Sequence, residues 1–204
     1  MNYQDVINSA LAYADKANAD DVVANMDAFL RVVEARVDRI LQTRLQSRRA
    51  RLICSYETEY YGLPPDYGGL RDVEIITAGG GRITMQWLAS EAMDNHINLN
   101  GTTPSYSVVA NQLHIWPLLD ETNTIEIAYY QRVMPLTSDA PENWITRYAP
   151  DLYIHGLLVE IFSFIKDPDG ATLWDGRFRS ALKELDSDDA RDLWSGPSPT
   201  IQVM

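Results

Sequence analysis

The chain has 204 residues and a mass of 23.1 kDa, room for one sizeable domain or a domain with a small insertion. A hydrophobic content of 46% with 10% aromatics excludes a disordered chain, and a net charge of −12 excludes whole-surface binding to nucleic acid or an anionic membrane. The single cysteine, Cys54, excludes an intrachain disulfide and a cysteine-based metal cluster.

The opening stretch, residues 1–21, lacks the basic leader and apolar core of a signal peptide. No apolar run approaches the ~20 residues of a membrane helix. The chain therefore reads as soluble, without membrane association, and made in a cytoplasm.

Tyr3, Val6, Ile7, Ala10, Leu11 and Ala14 recur at helical spacing and predict a short amphipathic helix. Asn18, Asp20 and Asp21 supply turn and N-cap chemistry for the next one. Val22, Met26, Phe29, Val33, Val37 and Ile40 then form one apolar stripe. No Gly or Pro interrupts residues 19–51, so the pattern predicts a single helix of seven turns or more. Arg31, Arg36, Arg39, Arg44, Arg48, Arg49 and Arg51 lie along it against only Glu34 and Asp38. At i, i+4, i+7 spacing, Arg44, Arg48 and Arg51 would share one helical face. Three uses stay open for that face: pairing with acids of the same chain, contact between subunits through bidentate carboxylate pairing, or DNA contact. An aromatic platform for the last is missing.

Residues 52–135 change period. Leu52–Cys54 and Val73–Ile76 read as short strands around a turn-rich segment, and Gly79-Gly80-Gly81 with Arg82–Met85 reads as a hairpin. Ala89–Asn95 gives one or two helical turns. Tyr106–Val109, Gln112–Pro117 and Thr124–Gln131 read as an antiparallel meander. In the last, Ile125, Ile127 and Tyr129 alternate with Glu126, Ala128 and Tyr130, as in a half-buried strand. After Pro135 the chain returns to helix. Asn143-Trp144-Ile145 starts it and Ala149-Pro150-Asp151 restarts it. Leu152, Ile154, Leu157, Leu158, Ile161, Phe162 and Ile165 predict a central buried helix. Asp167-Pro168-Asp169-Gly170 breaks it, and a last helix runs to about Leu193. From Trp194 the chain is Pro- and Ser-rich and reads as an extended tail. Its end, Thr200–Met204, alternates as a strand-adding segment would.

The class is thus α+β: mainly a helical bundle with an inserted small antiparallel β domain and an extended C-terminal tail. The division is 1–51 and 136–194 for the helices, 52–135 for the β-rich insertion and 195–204 for the tail.

Catalytic patterns fail in turn. His96, His114 and His155 form no H-x-x-x-H or H-E-x-x-H motif. The three glycines match neither a P-loop nor a dinucleotide fingerprint. No G-x-S-x-G surrounds a serine, and Cys54 has no local histidine. Asp20-Asp21 and Asp188-Asp189 are helix neighbours pointing about 100° apart, so neither pair converges on an ion. The residues predict no enzyme, cofactor or metal. Of the five tryptophans (Trp87, Trp116, Trp144, Trp174, Trp194) most read as core, and Trp194 as an interface residue.

Packing motifs carry a resemblance. They are Leu63-Pro64-x-Asp66-Tyr67 with Leu70-Arg71-x-Val73, Asn111-x-Leu113-x-Ile115-x-Pro117, and Ile125-Glu126-Ile127-x-Tyr129-Tyr130-x-Arg132-x-x-Pro135-Leu136. Asn143-Trp144-Ile145 follows, with Tyr148-x-Pro150-Asp151-Leu152-Tyr153-x-x-Gly156-x-Leu158-x-Glu160. Leu173-Trp174-x-x-Arg177-Phe178 and Arg191-x-x-Trp194-Ser195-Gly196 complete the set. Over most of its length the chain resembles the head-to-tail adaptors of tailed phages, the group typified by phage SU10.

That resemblance implies a structural virion protein at the neck, assembled as a twelve-fold ring of copies beneath the portal protein. It implies a ring that extends the channel for viral double-stranded DNA and docks a downstream tail or nozzle protein. It also implies a terminal segment that clasps the portal, here through Trp194, Pro197, Pro199, Ile201 and Val203. Arg44, Arg48 and Arg51 are then candidates for the subunit interface. The group has no catalytic or cofactor residues to carry over. The rival readings are another neck or tail-completion subunit and, from a different class, a phage-encoded hydrolytic enzyme.

Overall fold

The computed structural model describes residues 1–193, with side chains to residue 188. The chain divides into two compact units, one made of Met1–Leu45 and the chain from Val133, the other of Gln46–Arg132. Helices make the first unit, and the second holds two β-sheets and a short helix, so the class is α+β.

In the helical unit α1 (Tyr3–Tyr13) starts on an Asn2 capping box, in which Asn2 and Asp5 satisfy each other's backbone N–H groups. The second helix, α2 (Asp20–Ile40), buries Val22, Met26, Leu30, Val33 and Val37; of the predicted stripe, Phe29 is only partly buried and Ile40 is 58% exposed. Its N-cap is Ala19, with no side-chain capping bond, so Asp20 and Asp21 act only as first-turn acids. After the return from the second unit, Asn143 caps α4 (Trp144–Tyr148), accepting from Ile145 N and Thr146 N. Pro150 opens α5 (Pro150–Phe164), whose Leu152, Tyr153, Leu157, Leu158 and Ile161 are fully buried. Each such leucine contributes roughly 1.5–3 kcal/mol through burial. Pro168 opens α6 (Pro168–Leu193), which buries Trp174, Phe178 and Leu182 in the same core.

The predicted helix over 19–51 is corrected. α2 ends at Ile40, and Leu41 turns extended (ψ 134°) while burying its side chain. A 3-10 turn follows at Arg44–Gln46, then strand β1 (Ser47–Ile53). No glycine or proline marks the change. Residues 47–53 become a strand because all seven pair with β8 (Thr124–Gln131), far along the chain, and such pairing overrides helix propensity.

The second unit stacks two four-stranded sheets. The remaining strands are β2 (Tyr60–Gly62), β3 (Tyr67–Ile76), β4 (Arg82–Thr84), β5 (Gln86–Trp87), β6 (Ser105–Val109) and β7 (Gln112–Trp116); α3 spans Ser90–Asn98. The sheet orders are β1-β8-β3-β4 and β2-β7-β6-β5. Val73, Ile75, Ile125, Ile127 and Tyr129 of the first sheet pack with Tyr61, Tyr106, Leu113 and Ile115 of the second. The predicted meander is corrected as well. β6 and β7 are a hairpin, but β8 leaves them to lie between β1 and β3. The insertion is not wholly antiparallel either, since β5 runs parallel to β6. The triple glycine does sit in the β3–β4 hairpin, where Thr77 N bonds Gly81 O at 2.9 Å and Gly80 takes a φ of 79°. Trp87, expected in the core, is 62% exposed because it lies on a two-residue edge strand.

Candidate interaction surfaces

β1 exposes on one face the arginines that a helix would have fanned apart. On that face Arg51 lies directly opposite Glu126 of β8, which in turn lies opposite Glu74 of β3. Arg49 sits one pair further along, and Arg82 reaches across from β4. Arg49 Nη1 and Arg82 Nη1 each donate to Glu126 Oε1 at 2.7 Å, and Arg51 Nε donates to Oε2 at 3.0 Å. Arg82 also pairs with Glu74. Three guanidinium groups thus converge on one carboxylate, which is only 6% exposed although it stands on the outer face of a sheet.

This geometry fixes the protonation of Glu126. The hydrogen bonds from Arg82, Arg51 and Arg49 pull its carboxyl from 4.5 down to about 2, against an opposing effect of desolvation. A lowered value means that the stabilisation is fully present above pH 4.5 and is lost as pH falls through about 2. Glu126→Gln is therefore expected to melt at a lower temperature than the unaltered chain near pH 7. The gap should narrow steadily as pH falls from about 4.5 towards 2. Melting curves across that range check it, and a gap that stays constant with pH refutes it.

The predicted interface triplet does not form one face. Arg44 lies in the 3-10 turn, and Arg48 and Arg51 differ by an odd number of positions in a strand, so they point to opposite sides. Arg48 lies opposite Tyr129, and its Nη1 donates to Ser47 O. Of the remaining arginines of that run, Arg36 pairs with Glu160 at 3.4 Å and Asp175 at 2.7 Å, and stacks over Phe178. Arg36, Arg49 and Arg51 are thus satisfied by acids of the same chain. The candidate clasp residues Trp194, Pro197, Pro199, Ile201 and Val203 lie outside the described residues.

Two features escaped sequence reading. Glu126 looked like the solvated half of an alternating strand, and only the register with β1 and β3 shows what faces it. Glu34 looked like one acid among arginines, yet it is 7% exposed and accepts from Leu136 N at 2.7 Å and Tyr153 Oη at 3.0 Å. One turn on, Asp38 accepts from Val133 N at 2.7 Å. Two carboxylates of α2 thereby hold the segment that returns to the helical unit, on either side of Pro135, which has no N–H to offer.

The histidines have separate settings. His96 bonds Thr103 O, His114 stacks on Tyr60 at 4.3 Å and His155 lies beside Trp174. Among the described residues no group of three or more His, Cys, Asp or Glu stands together to hold a metal ion. No helix among them is long and apolar enough to cross a membrane. Cys54 is buried, and that burial pushes its thiol pKa up, away from the reactive thiolate.

A third surface lies at one end of the sheet unit, where loops 54–59 and 117–123 line a groove of about 300 Å3. Tyr56 and Leu118 flank it, with Glu57, Leu119, Asp120 and Asn123.

Compared with protein families, the chain matches the model described as SU10 adaptor protein over residues 1–201. No curated protein matches it.

Proposed function

Because the chain belongs to the SU10 adaptor protein family of structural phage-virion adaptors, we propose that it forms a ring beneath the portal, extends the DNA channel and docks tail proteins. The observation that carries this reading is the extent of the match, which spans both units and reaches residue 201. In it the helical unit serves as a bundle against the portal, the sheet unit faces the tail, and residues 195–204 reach out as an extended clasp. The partners are the portal protein, further copies of the chain in a twelve-fold ring, and a downstream tail or nozzle protein. Viral double-stranded DNA passes through without sequence-specific contact, which suits a chain of net charge −12. The work is binding, with no catalytic step, and the place of action is the virion neck after synthesis in the host cytoplasm.

Ring geometry explains how modest contacts suffice. Each copy meets its neighbours through a heterologous contact that closes on itself, and each adds one attachment to the portal. Repeated attachments multiply, so avidity exceeds the affinity of any one of them by about 10²–10⁴. Of the two strand arginines in the predicted triplet, Arg48 suits a contact between neighbours better than Arg51, which is committed to Glu126. Free subunits that stay monomeric in dilute solution are compatible with this scheme, because a preformed portal drives assembly by mass action.

Deleting residues 195–204 tests the scheme. The shortened chain is expected to keep its melting temperature and lose portal binding by about two orders of magnitude or more. Native mass measurements of the chain with and without portal read the result. Unchanged binding would overturn the clasp, and the absence of any complex with the full chain would overturn the adaptor reading.

A further inference from the structure

The groove end of the sheet unit carries an apolar and acidic surface that its own fold leaves uncovered. Ile53 is 80% exposed, Tyr56 70% and Leu118 39%, and all three belong to the strand end and the two loops that meet there. Scattered apolar side chains need no explanation, but a group of large ones around a groove marks a contact surface. Leu119, on the groove's inner side, packs against the core between the sheets, so the floor is anchored while the rim is open. The surface lies where β1 ends and β8 begins. The chain enters this unit at residue 46 and leaves it at 132, at the opposite ends of those strands.

Charge narrows the choice of partner. Loops 54–59 and 117–123 hold Glu57, Glu59, Asp120 and Glu121, and contain no lysine or arginine. The nearest strand arginines, Arg51 and Arg82, are turned onto Glu126. Hydrogen bonds from Thr122 and Asn123 hold the Asp120 carboxyl below its ordinary value, so it stays ionised. Two copies meeting face to face through this surface would set like charges against each other, which costs free energy in a partly desolvated contact. A ring neighbour offering a different patch is a poor source of cations in a chain of net charge −12.

We infer that this end of the sheet unit docks a different protein, one that presents apolar side chains flanked by lysine or arginine. The inference rests on the adaptor reading and names the surface and the chemistry by which the downstream partner is held. Aromatic and leucine side chains would supply the buried anchor, and the carboxylates of the two loops would steer the encounter and reject acidic surfaces.

Placing a photo-cross-linking p-benzoylphenylalanine at position 56 tests it in assembled particles of the phage that encodes the chain. Illumination is expected to join position 56 to another virion protein, within a few residues of a lysine or arginine. In parallel, the pair Glu57→Lys and Glu121→Lys is expected to lower the fraction of tailed particles at least tenfold while the purified chain melts unchanged. Cross-links only to further copies of this chain, or none in particles that contain it, would overturn the inference. So would a tailed fraction untouched by the charge reversal. A chain absent from purified particles would instead overturn the adaptor reading, and this inference with it.

Discussion

Replacing Gly156 with valine is expected to destabilise the helical unit by about 3 kcal/mol, lowering the melting temperature by roughly 6–12 °C. Gly156 lies in the middle of α5, where glycine costs about 1 kcal/mol relative to alanine, so its presence requires a packing reason. The reason is close approach. A Cβ built there would stand 2.6 Å from Val33 Cγ1 and 3.0 Å from Val33 Cγ2 on α2, and 3.1 Å from Phe178 Cε2 on α6. Both neighbours are fully buried, so neither can swing into solvent. Valine adds two more carbons to a space that does not admit one, and α5 must part from its partners. A double-mutant cycle isolates the cause. With Val33→Ala in place, Gly156→Ala should cost at least about 1 kcal/mol less than it does alone. Strictly additive effects would show that the contact with Val33 is not what limits the position.

Gly156 also illustrates what the sequence makes legible. It stands inside the Tyr153-x-x-Gly156-x-Leu158 motif that carries the resemblance, and the apolar run around it predicts the central buried helix at α5. Pro150 and Pro168 mark helix starts because a proline at the first helical position loses no hydrogen bond. Such signals are local, and they survive in one dimension.

The misread elements depend on non-local pairing. Residues 41–53 contain no breaker, and Arg44, Arg48 and Arg51 have a flawless helical spacing. What makes Ser47–Ile53 a strand is its seven-residue ladder to β8, a partner more than seventy residues away. The same ladder brings Arg49 and Arg51 to Glu126, and pairing through β3 adds Arg82 of β4, a constellation that no spacing rule anticipates. Trp87 fails for a related reason. Its hydrophobicity suggests the core, but β5 is too short and too peripheral to bury it. The surface candidates were therefore legible as residue types, an arginine run above all, and illegible as geometry.

Glu34 shows the other side of that limit, and its replacement by alanine is expected to cost about 3–5 kcal/mol. Glu34 Oε1 accepts from Leu136 N and from Tyr153 Oη, and Asn143 Nδ2 donates to the same tyrosine oxygen at 2.6 Å. Asn143 in turn donates to Met134 O and caps α4. Four elements of the helical unit meet in this network: α2, the returning segment, α4 and α5. Alanine would leave two buried donors, the Leu136 N–H and the Tyr153 O–H, without their acceptor, each worth about 1–3 kcal/mol when unsatisfied. Glutamine keeps the accepting oxygen and removes the charge, so Glu34→Gln should retain most of the stability.

The pH dependence separates charge from hydrogen bonding. Burial, the largest influence, raises the Glu34 carboxyl above its ordinary 4.5, although Leu136 N–H and the Tyr153 hydroxyl oppose it. A raised value in the folded state means that the contribution is fully present below pH 4.5 and is lost as pH rises through the higher folded value. Relative to the unaltered chain, Glu34→Gln is thus expected to gain stability as pH rises above 4.5, until the carboxyl is fully ionised. This is opposite in sign to Glu126→Gln, which is expected to lose most where the carboxylate is ionised. Denaturant unfolding of both variants at several pH values between 3 and 8 would read the two signs side by side. If Glu34→Gln instead falls further below the unaltered chain as pH rises, the ionised carboxylate is a net stabiliser, and the returning segment is held by charge and not by an oxygen acceptor alone.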